Sequence, residues 1–269
     1  MTEGSAVRRF RSLHEGKAVL RLANAWDAAS ARLVEEAGGR AVATSSAAVA
    51  WSLGYPDGER LPLQRLLVVA QDLMRTVSIP VSIDFERGYS DEPARVADTV
   101  RRLAELGVAG VNLEDAALDP DLLARKLDAC RSQLSQAGLD LFLNARSDVF
   151  LRGAQPDAFG VAEVVRRARS YRDAGADGLF VPALYVPELI SRIASAVQLP
   201  LNVWPSPEQP DIEQLANWGV RRVSLGPRLA LEAWSLVRAQ MLGFHASEDA
   251  ALPLTFAQMN ASLAQARPA

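Results

Sequence analysis

The sequence predicts a (β/α)8 barrel, and three observations carry that prediction. Eight short apolar runs alternate with helix-length stretches along the 269 residues. The runs are apolar almost throughout rather than at every second residue, as in a parallel sheet covered by helices. Helix, glycine and strand recur in that order at Glu105-Leu106-Gly107-Val108, Asp173-Ala174-Gly175-Ala176 and Asn217-Trp218-Gly219-Val220. Glycine stops a helix there by entering the left-handed region. Eight βα units in about 250 residues suit one such barrel. A doubly wound sheet fits less well, because no Gly-x-Gly-x-x-Gly follows the first strand.

In chain order, residues 5–15 read as a short amphipathic helix ahead of strand 1 at 19–24. Asp27 caps a helix over 28–37, closed by Gly38-Gly39. Strand 2 covers 41–44 and runs through Ser45-Ser46-Ala47-Ala48 into the loop Leu53-Gly54-Tyr55-Pro56-Asp57-Gly58. A helix over 63–77 leads to strand 3, which starts at Val81. Helix 93–106, strand 4 at 110–113, helix 121–137 and strand 5 at 141–146 follow. The second half repeats the pattern: helix 157–174, strand 6 at 178–181, helix 186–196, strand 7 at 200–203, helix 211–218 and strand 8 at 222–225. Two further helices, near 229–242 and 253–266, flank a polar segment around Ser247-Glu248-Asp249. No linker interrupts this order. The expectation is one domain over 1–269, with an N-terminal helix within 1–15 and C-terminal helices within 229–269.

Composition excludes several functions. A net charge of −3 with no Lys/Arg block gives nucleic-acid binding no electrostatic support. No apolar run approaches the ~20 residues of a membrane span, and residues 1–15 hold no signal-peptide core. The expected location is the cytoplasm. Two histidines, His14 and His245, and one cysteine, Cys130, do not make a zinc site. Of the two lysines, Lys17 precedes strand 1 and Lys126 lies mid-helix, so neither suits Schiff-base chemistry. Cys130 reads as a helix residue packed inward.

Barrel chemistry sits at the C-terminal ends of the strands. Those ends supply Asn24, Trp26 and Asp27; Thr44, Ser45, Ser46 and, on its loop, Asp57; Asp84, Glu86 and Arg87; Glu114 and Asp115; Asn144, Arg146 and Asp148; Asn202; and Ser224. Alternation along strand 3 places Asp84 and Glu86 on one face. Clustered carboxylates suit a hard divalent cation such as Mg²⁺. A guanidinium beside them can take a carboxylate through two hydrogen bonds. The natural occupant is an anion bridged to a metal. The loop Trp204-Pro205-Ser206-Pro207 has no glycine and strand 8 offers only Gly226, so a sugar-phosphate cradle is disfavoured.

The motifs Asn24-Ala25-Trp26-Asp27, Thr44-Ser45-Ser46, Leu53-Gly54-Tyr55-Pro56-Asp57-Gly58, Asp84-Phe85-Glu86-Arg87-Gly88-Tyr89, Asn112-Leu113-Glu114-Asp115 and Asn144-Ala145-Arg146-Ser147-Asp148 resemble those of the isocitrate lyase / phosphoenolpyruvate mutase superfamily. They keep that order over most of the barrel. The resemblance implies Mg²⁺, or Mn²⁺ in its place, held by Asp84, Glu86 and Glu114 with Asp57 nearby. It implies a 2-oxo acid whose carboxylate meets Ser45, Ser46 and Ala47, with Arg146 on its oxygens. Asp57 and Arg146 are the catalytic candidates, and Trp26, Arg87, Asn144, Arg146 and Asn202 the remaining substrate-binding ones. The resemblance also implies a homo-oligomer, a tetramer, with the helix after strand 8 exchanged between subunits.

The departures narrow the chemistry. Lyases of the superfamily carry a Lys-Lys-Cys-Gly-type lid after strand 4. Here Ala116-Ala117-Leu118-Asp119-Pro120 leads at once into a helix. Pro182 stands where the mutase has a histidine. Isocitrate cleavage and phosphonate rearrangement are therefore not expected, and lidless decarboxylase-like relatives are the better match. Two functions remain open: a carbon–carbon lyase acting on oxaloacetate, and a non-catalytic protein that binds a 2-oxo acid such as 2-oxoglutarate. Without a lid, the far end of the ligand needs a partner on the rim. Arg87, or else Arg152, is the expected one, which favours dicarboxylic 2-oxo acids over pyruvate.

Overall fold

Eight parallel strands close on themselves in chain order. The computed structural model describes residues 3–204, 211–245 and 252–264. The elements are α1 (Glu3–Ser12), β1 (Leu20–Ala25), α2 (Ala28–Glu36), β2 (Val42–Thr44), α3 (Ser46–Ser52), α4 (Leu63–Thr76), β3 (Val81–Asp84), α5 (Pro93–Glu105), β4 (Gly110–Glu114), α6 (Pro120–Gln136), β5 (Phe142–Arg146), α7 (Ala158–Asp173), β6 (Gly178–Val181), α8 (Pro187–Val197), β7 (Leu201–Val203), α9 (Ile212–Asn217), β8 (Val220–Ser224), α10 (Arg228–Phe244) and α11 (Phe256–Ala264). The barrel expected from the sequence is present. Asp27 caps α2 as expected, accepting from the Ser30 amide at 2.7 Å in a capping box.

Two elements depart from expectation. α3 occupies 46–52, where the sequence predicts only the continuation of strand 2 toward the loop at Leu53; Ser45 caps it by accepting from the Ala48 amide at 3.4 Å. Its alanine-rich run has too few turns for periodicity to separate helix from strand. β8 begins at Val220, not Arg222. Arg222 therefore sits mid-strand, fully buried. The segment around Ser247-Glu248-Asp249, the loop residues Pro205, Ser206 and Pro207, and the last two residues of the expected helix 253–266 lie outside the described residues.

The main core lies between strands and helices, where Val, Ile and Leu side chains from both are buried together. A smaller cluster closes the N-terminal end of the barrel around Phe10, Leu13, Leu20, Leu22 and Phe142. α1 supplies Phe10, whose ring meets Phe142 edge-on at 5.4 Å. Gly110 leaves room for it: a Cβ there would lie 2.8 Å from the Phe10 ring. Cys130 is buried in the main core, and burial pushes its thiol up to about 12, so it is a packing residue.

His14 belongs to the lower cluster. Its Nδ1 donates to the Phe10 carbonyl at 2.8 Å and its ring stacks on Phe142 at 4.4 Å. Burial, reinforced by the nearby Arg222 charge, pulls its pKa down to about 3. The unfolded chain, with an ordinary histidine near 6.5, binds the proton more readily. The stability linked to His14 is thus complete above pH ~6.5 and is lost as pH falls toward 3, by up to ~1.4 kcal/mol per pH unit. Urea unfolding midpoints of the native chain should fall between pH 6.5 and 4.5, and His14→Leu should flatten that slope. Parallel profiles would contradict it.

Candidate active site

The ends of the strands open into a cavity of about 930 Å³. Its lining includes Ser45, Ser46, Ala47, Asp57, Asp84, Glu86, Glu114 and Arg146, all named from the sequence. Asp84 ends β3: its amide donates to Thr44 Oγ1 at 2.8 Å, and its Oδ2 accepts from the Ser46 amide at 3.2 Å. Its Oδ1 is buried without a partner, as is Asp57 Oδ1.

Glu86 reaches the cavity by a different route from the expected strand alternation. β3 stops at Asp84, and Glu86 turns at φ 49°. A non-glycine residue in the left-handed region costs of order 1–3 kcal/mol and marks functional sites. The turn is held from both sides. Glu86 Oε2 accepts from the Glu59 amide at 2.7 Å, and Oε1 from the Tyr89 hydroxyl at 3.2 Å.

Among the described residues, Arg146 is the guanidinium that forms ion pairs within this acid group. Its Nε and Nη2 grip Asp148 at 2.6 and 3.0 Å, and Nη1 meets Glu114 at 2.9 Å. Three of its five N–H groups are thereby taken. Asp148 is itself fixed, its amide donating to Asp115 Oδ1 at 3.0 Å. Asp115, grouped with Glu114 by sequence, turns behind the site to Arg167 (2.9 Å) and the Tyr171 hydroxyl (2.7 Å). It braces the site without lining it.

The acids exceed the positive charge available. Burial, then the Asp57 and Asp84 charges, push Glu86 up to about 8. Burial, then Asp84, raises Asp57. Burial pushes Glu114 up to about 8, even though Arg146 opposes the shift.

Other expected residues lie elsewhere. Trp26 packs on Trp234 at 5.6 Å and lines a groove between α2 and α9. Asn144 and Asn202 are buried and do not line the cavity. Asn144 donates to Asn112 at 2.9 Å, and Asn202 accepts from the Ser224 hydroxyl at 3.3 Å. Arg87 swings outward to Asp91 at 2.7 Å and lines only a side chamber of about 530 Å³. Asn24 lines the cavity with its polar atoms spent: it donates to Thr44 O at 2.8 Å and accepts from the Leu225 and Gly226 amides. Lys126 donates to the Arg87 carbonyl at 2.7 Å, away from the cavity.

The sequence reading missed part of the wall. Pro253, Leu254 and Phe256, from just before and at the start of α11, complete the cavity wall. Asn260 Oδ1 accepts from the Asp57 amide at 2.7 Å and from Trp51 Nε1 at 3.1 Å, pinning the Asp57 loop to α11. No local signal marks Asn260, because its partners lie some 200 positions away in the chain. After β4, residues 115–119 alone connect to α6.

Among the described residues no three His, Cys, Asp or Glu side chains form a ready-made metal cage. The two partnerless buried carboxylate oxygens and the anionic excess still fit a divalent cation that keeps part of its water shell, as Mg²⁺ does.

The sequence model for phosphoenolpyruvate phosphomutase matches residues 10–245. The chain is 37% identical over 221 residues to an uncharacterized protein of Mycobacterium tuberculosis, covering 81% of each. It is 29% identical over 221 residues to the oxaloacetate decarboxylase of Rhodopseudomonas palustris, covering 79% of this chain and 75% of that one. The crystal structure of a suggested phosphonomutase from Burkholderia cenocepacia superposes with a TM-score of 0.84 at 40% identity, covering 88% of this chain and 99% of that one. With that match spanning the barrel, the chain belongs to the phosphoenolpyruvate phosphomutase family, within the isocitrate lyase / phosphoenolpyruvate mutase superfamily.

Proposed function

We propose that the cavity binds a 2-oxo dicarboxylic acid together with Mg²⁺ and cleaves oxaloacetate to pyruvate and CO₂. The observation that carries this is the group of buried Glu86 and half-buried Asp57, Asp84 and Glu114 around the paired Arg146 guanidinium. The likeness to an oxaloacetate decarboxylase supports the same reading. Asp84, Glu86 and Glu114 would hold the ion. When bound, Mg²⁺ offsets their charge and draws electrons from the 2-oxo group. Arg146, clamped by Glu114 and Asp148, has two N–H groups left for the ligand's oxygens. Ser45, Ser46 and Ala47 form the facing wall. In the reaction the C3–C4 bond breaks and its electron pair moves into the C2–C3 enolate. CO₂ leaves, and C3 then takes a proton. Loss of CO₂ needs an electron sink rather than a base, which suits a chain with no lysine or cysteine at the cavity.

The test is pyruvate release from oxaloacetate, measured above the background of free Mg²⁺. Release abolished in Asp84→Ala supports the lyase. Tight 2-oxo acid binding with release no faster than background would make the chain a binding protein instead.

Arg152 takes over the rim role expected of Arg87. It lines both the cavity and the side chamber, and its side chain makes no hydrogen bond or ion pair among the described residues. 2-Oxoglutarate should bind about threefold to tenfold more tightly than pyruvate, since exposure weakens the ion pair. Calorimetry on Arg152→Ala should show that gap closing, and a gap left intact would remove Arg152 from the role.

Assembly follows from two apolar surfaces. The groove between α2 and α9, about 1060 Å³, is lined by Val19, Leu33, Val34, Ile212 and Leu215. α10 buries only Ala230 and exposes Leu236, Val237, Met241 and Phe244. We assign the groove to α10 of a second copy, an exchange that is reciprocal across a two-fold axis. Sedimentation should show a dimer or tetramer at micromolar concentration, and a monomer would contradict it.

A further inference from the structure

We infer that Asn112 offers its side-chain N–H groups to the ligand from the floor of the cavity, and that the buried Arg222 is the positioning residue that turns them there. This rests on the reading of the cavity as a 2-oxo acid site.

Arg222, on β8, is 1% exposed, and its Nη2 donates to Asn112 Oδ1 at 3.3 Å. A guanidinium only donates, so the atom of Asn112 facing it is the oxygen. That fixes the amide's orientation, which an asparagine alone leaves open. Asn144 Nδ2 donates to the same oxygen at 2.9 Å. Asn144 is held in place by Gly178, where a Cβ would lie 2.6 Å from its Oδ1. Both lone pairs of the Asn112 oxygen are therefore used. Its Nδ2 makes no hydrogen bond among the described residues. Asn112 lines the cavity, so that nitrogen is the polar atom left for an occupant. Its acceptor would be a carboxylate or 2-oxo oxygen of the ligand.

The cost of Arg222 strengthens the case. Its Nε and Nη1 are buried without partners. The ring of Phe10 lies beneath it, 6.0 Å from Cζ. Burial pulls its pKa down to about 9, with the Asp84 charge opposing. No carboxylate pairs with it among the described residues. An unpaired buried charge costs several kcal/mol, and apolar residues of similar volume often replace buried ions without loss. Packing alone therefore does not account for this cation. Its one hydrogen bond goes to the amide that faces the ligand.

The experiment is calorimetric titration of 2-oxoglutarate at saturating Mg²⁺, with melting temperatures measured alongside. Arg222→Met should weaken binding about tenfold while the unliganded melting temperature holds or rises. Asn112→Ala should weaken it as much, and the double variant no more than either alone. Wild-type affinity in Arg222→Met, or losses that multiply in the double variant, would overturn the inference. Asn112→Asp serves where Arg222→Met does not fold. It keeps an oxygen toward Arg222 but turns a carboxylate oxygen, not an N–H, to the ligand. Weaker binding at an undiminished melting temperature supports the inference, and unchanged binding overturns it. A wild-type chain that binds neither 2-oxoglutarate nor pyruvate sinks the oxo-acid reading and this inference together.

Discussion

Asp84→Ala is expected to abolish Mg²⁺-dependent binding of 2-oxo acids, a loss of at least about a hundredfold, or ~3 kcal/mol. Asp84 stands at the centre of the acid group, with one carboxylate oxygen lacking any partner. A buried acceptor left unsatisfied is costly, and an incoming cation is what would relieve it. The same substitution removes a charge that pushes both Asp57 and Glu86 upward. Without ligand, the variant should melt no lower than the native chain. Lost binding in an equally stable protein cannot come from misfolding. Calorimetric titration with Mg²⁺ and pyruvate, beside thermal melts, separates the cases. An unchanged Mg²⁺ titration would remove the metal from this cavity.

Arg146→Lys is expected to lower both affinity and stability. The sequence assigns Arg146 to the anion, whereas an ion pair with Asp148 or Glu114 would make it a structural clamp. The structure shows both ion pairs at once. Asp148 is fully buried, and a lysine cannot reproduce the two-pronged grip on it. A poorly met buried carboxylate costs roughly 1–3 kcal/mol, about 2–10 °C in melting temperature for a chain of this size. Affinity for 2-oxo acids should fall at least tenfold, because the two N–H groups left over from Asp148 and Glu114 lose their planar frame. Melting and binding are measured on the same samples. A lower melting temperature with native affinity would leave Arg146 a purely structural clamp.

Much of this was legible in the chain. Apolar strands, helix-stopping glycines and their spacing determine the barrel, because a covered parallel sheet requires just that pattern. Barrel geometry then sends residues at strand ends to one mouth, which is why Asp84, Glu114 and Arg146 could be named in advance. Their convergence is a property of topology. The route of Glu86 was not legible, since a left-handed turn at a glutamate goes against its intrinsic preference and exists only because Glu59 and Tyr89 hold it.

What the sequence by itself determined was the fold, a consequence of local periodicity, and through barrel topology most of the acids at its mouth. Only the tertiary structure decided where long, flexible or internal side chains spend their hydrogen bonds. Arg87 goes to Asp91, Trp26 to Trp234, Asn144 and Arg222 to Asn112, and Asn260 to the Asp57 loop. Each of these partners comes from how the chain packs rather than from the residue's place in a strand or helix. The physical reason is reach: a strand end sets where a Cβ starts, but a guanidinium, indole or amide settles wherever burial leaves it a partner.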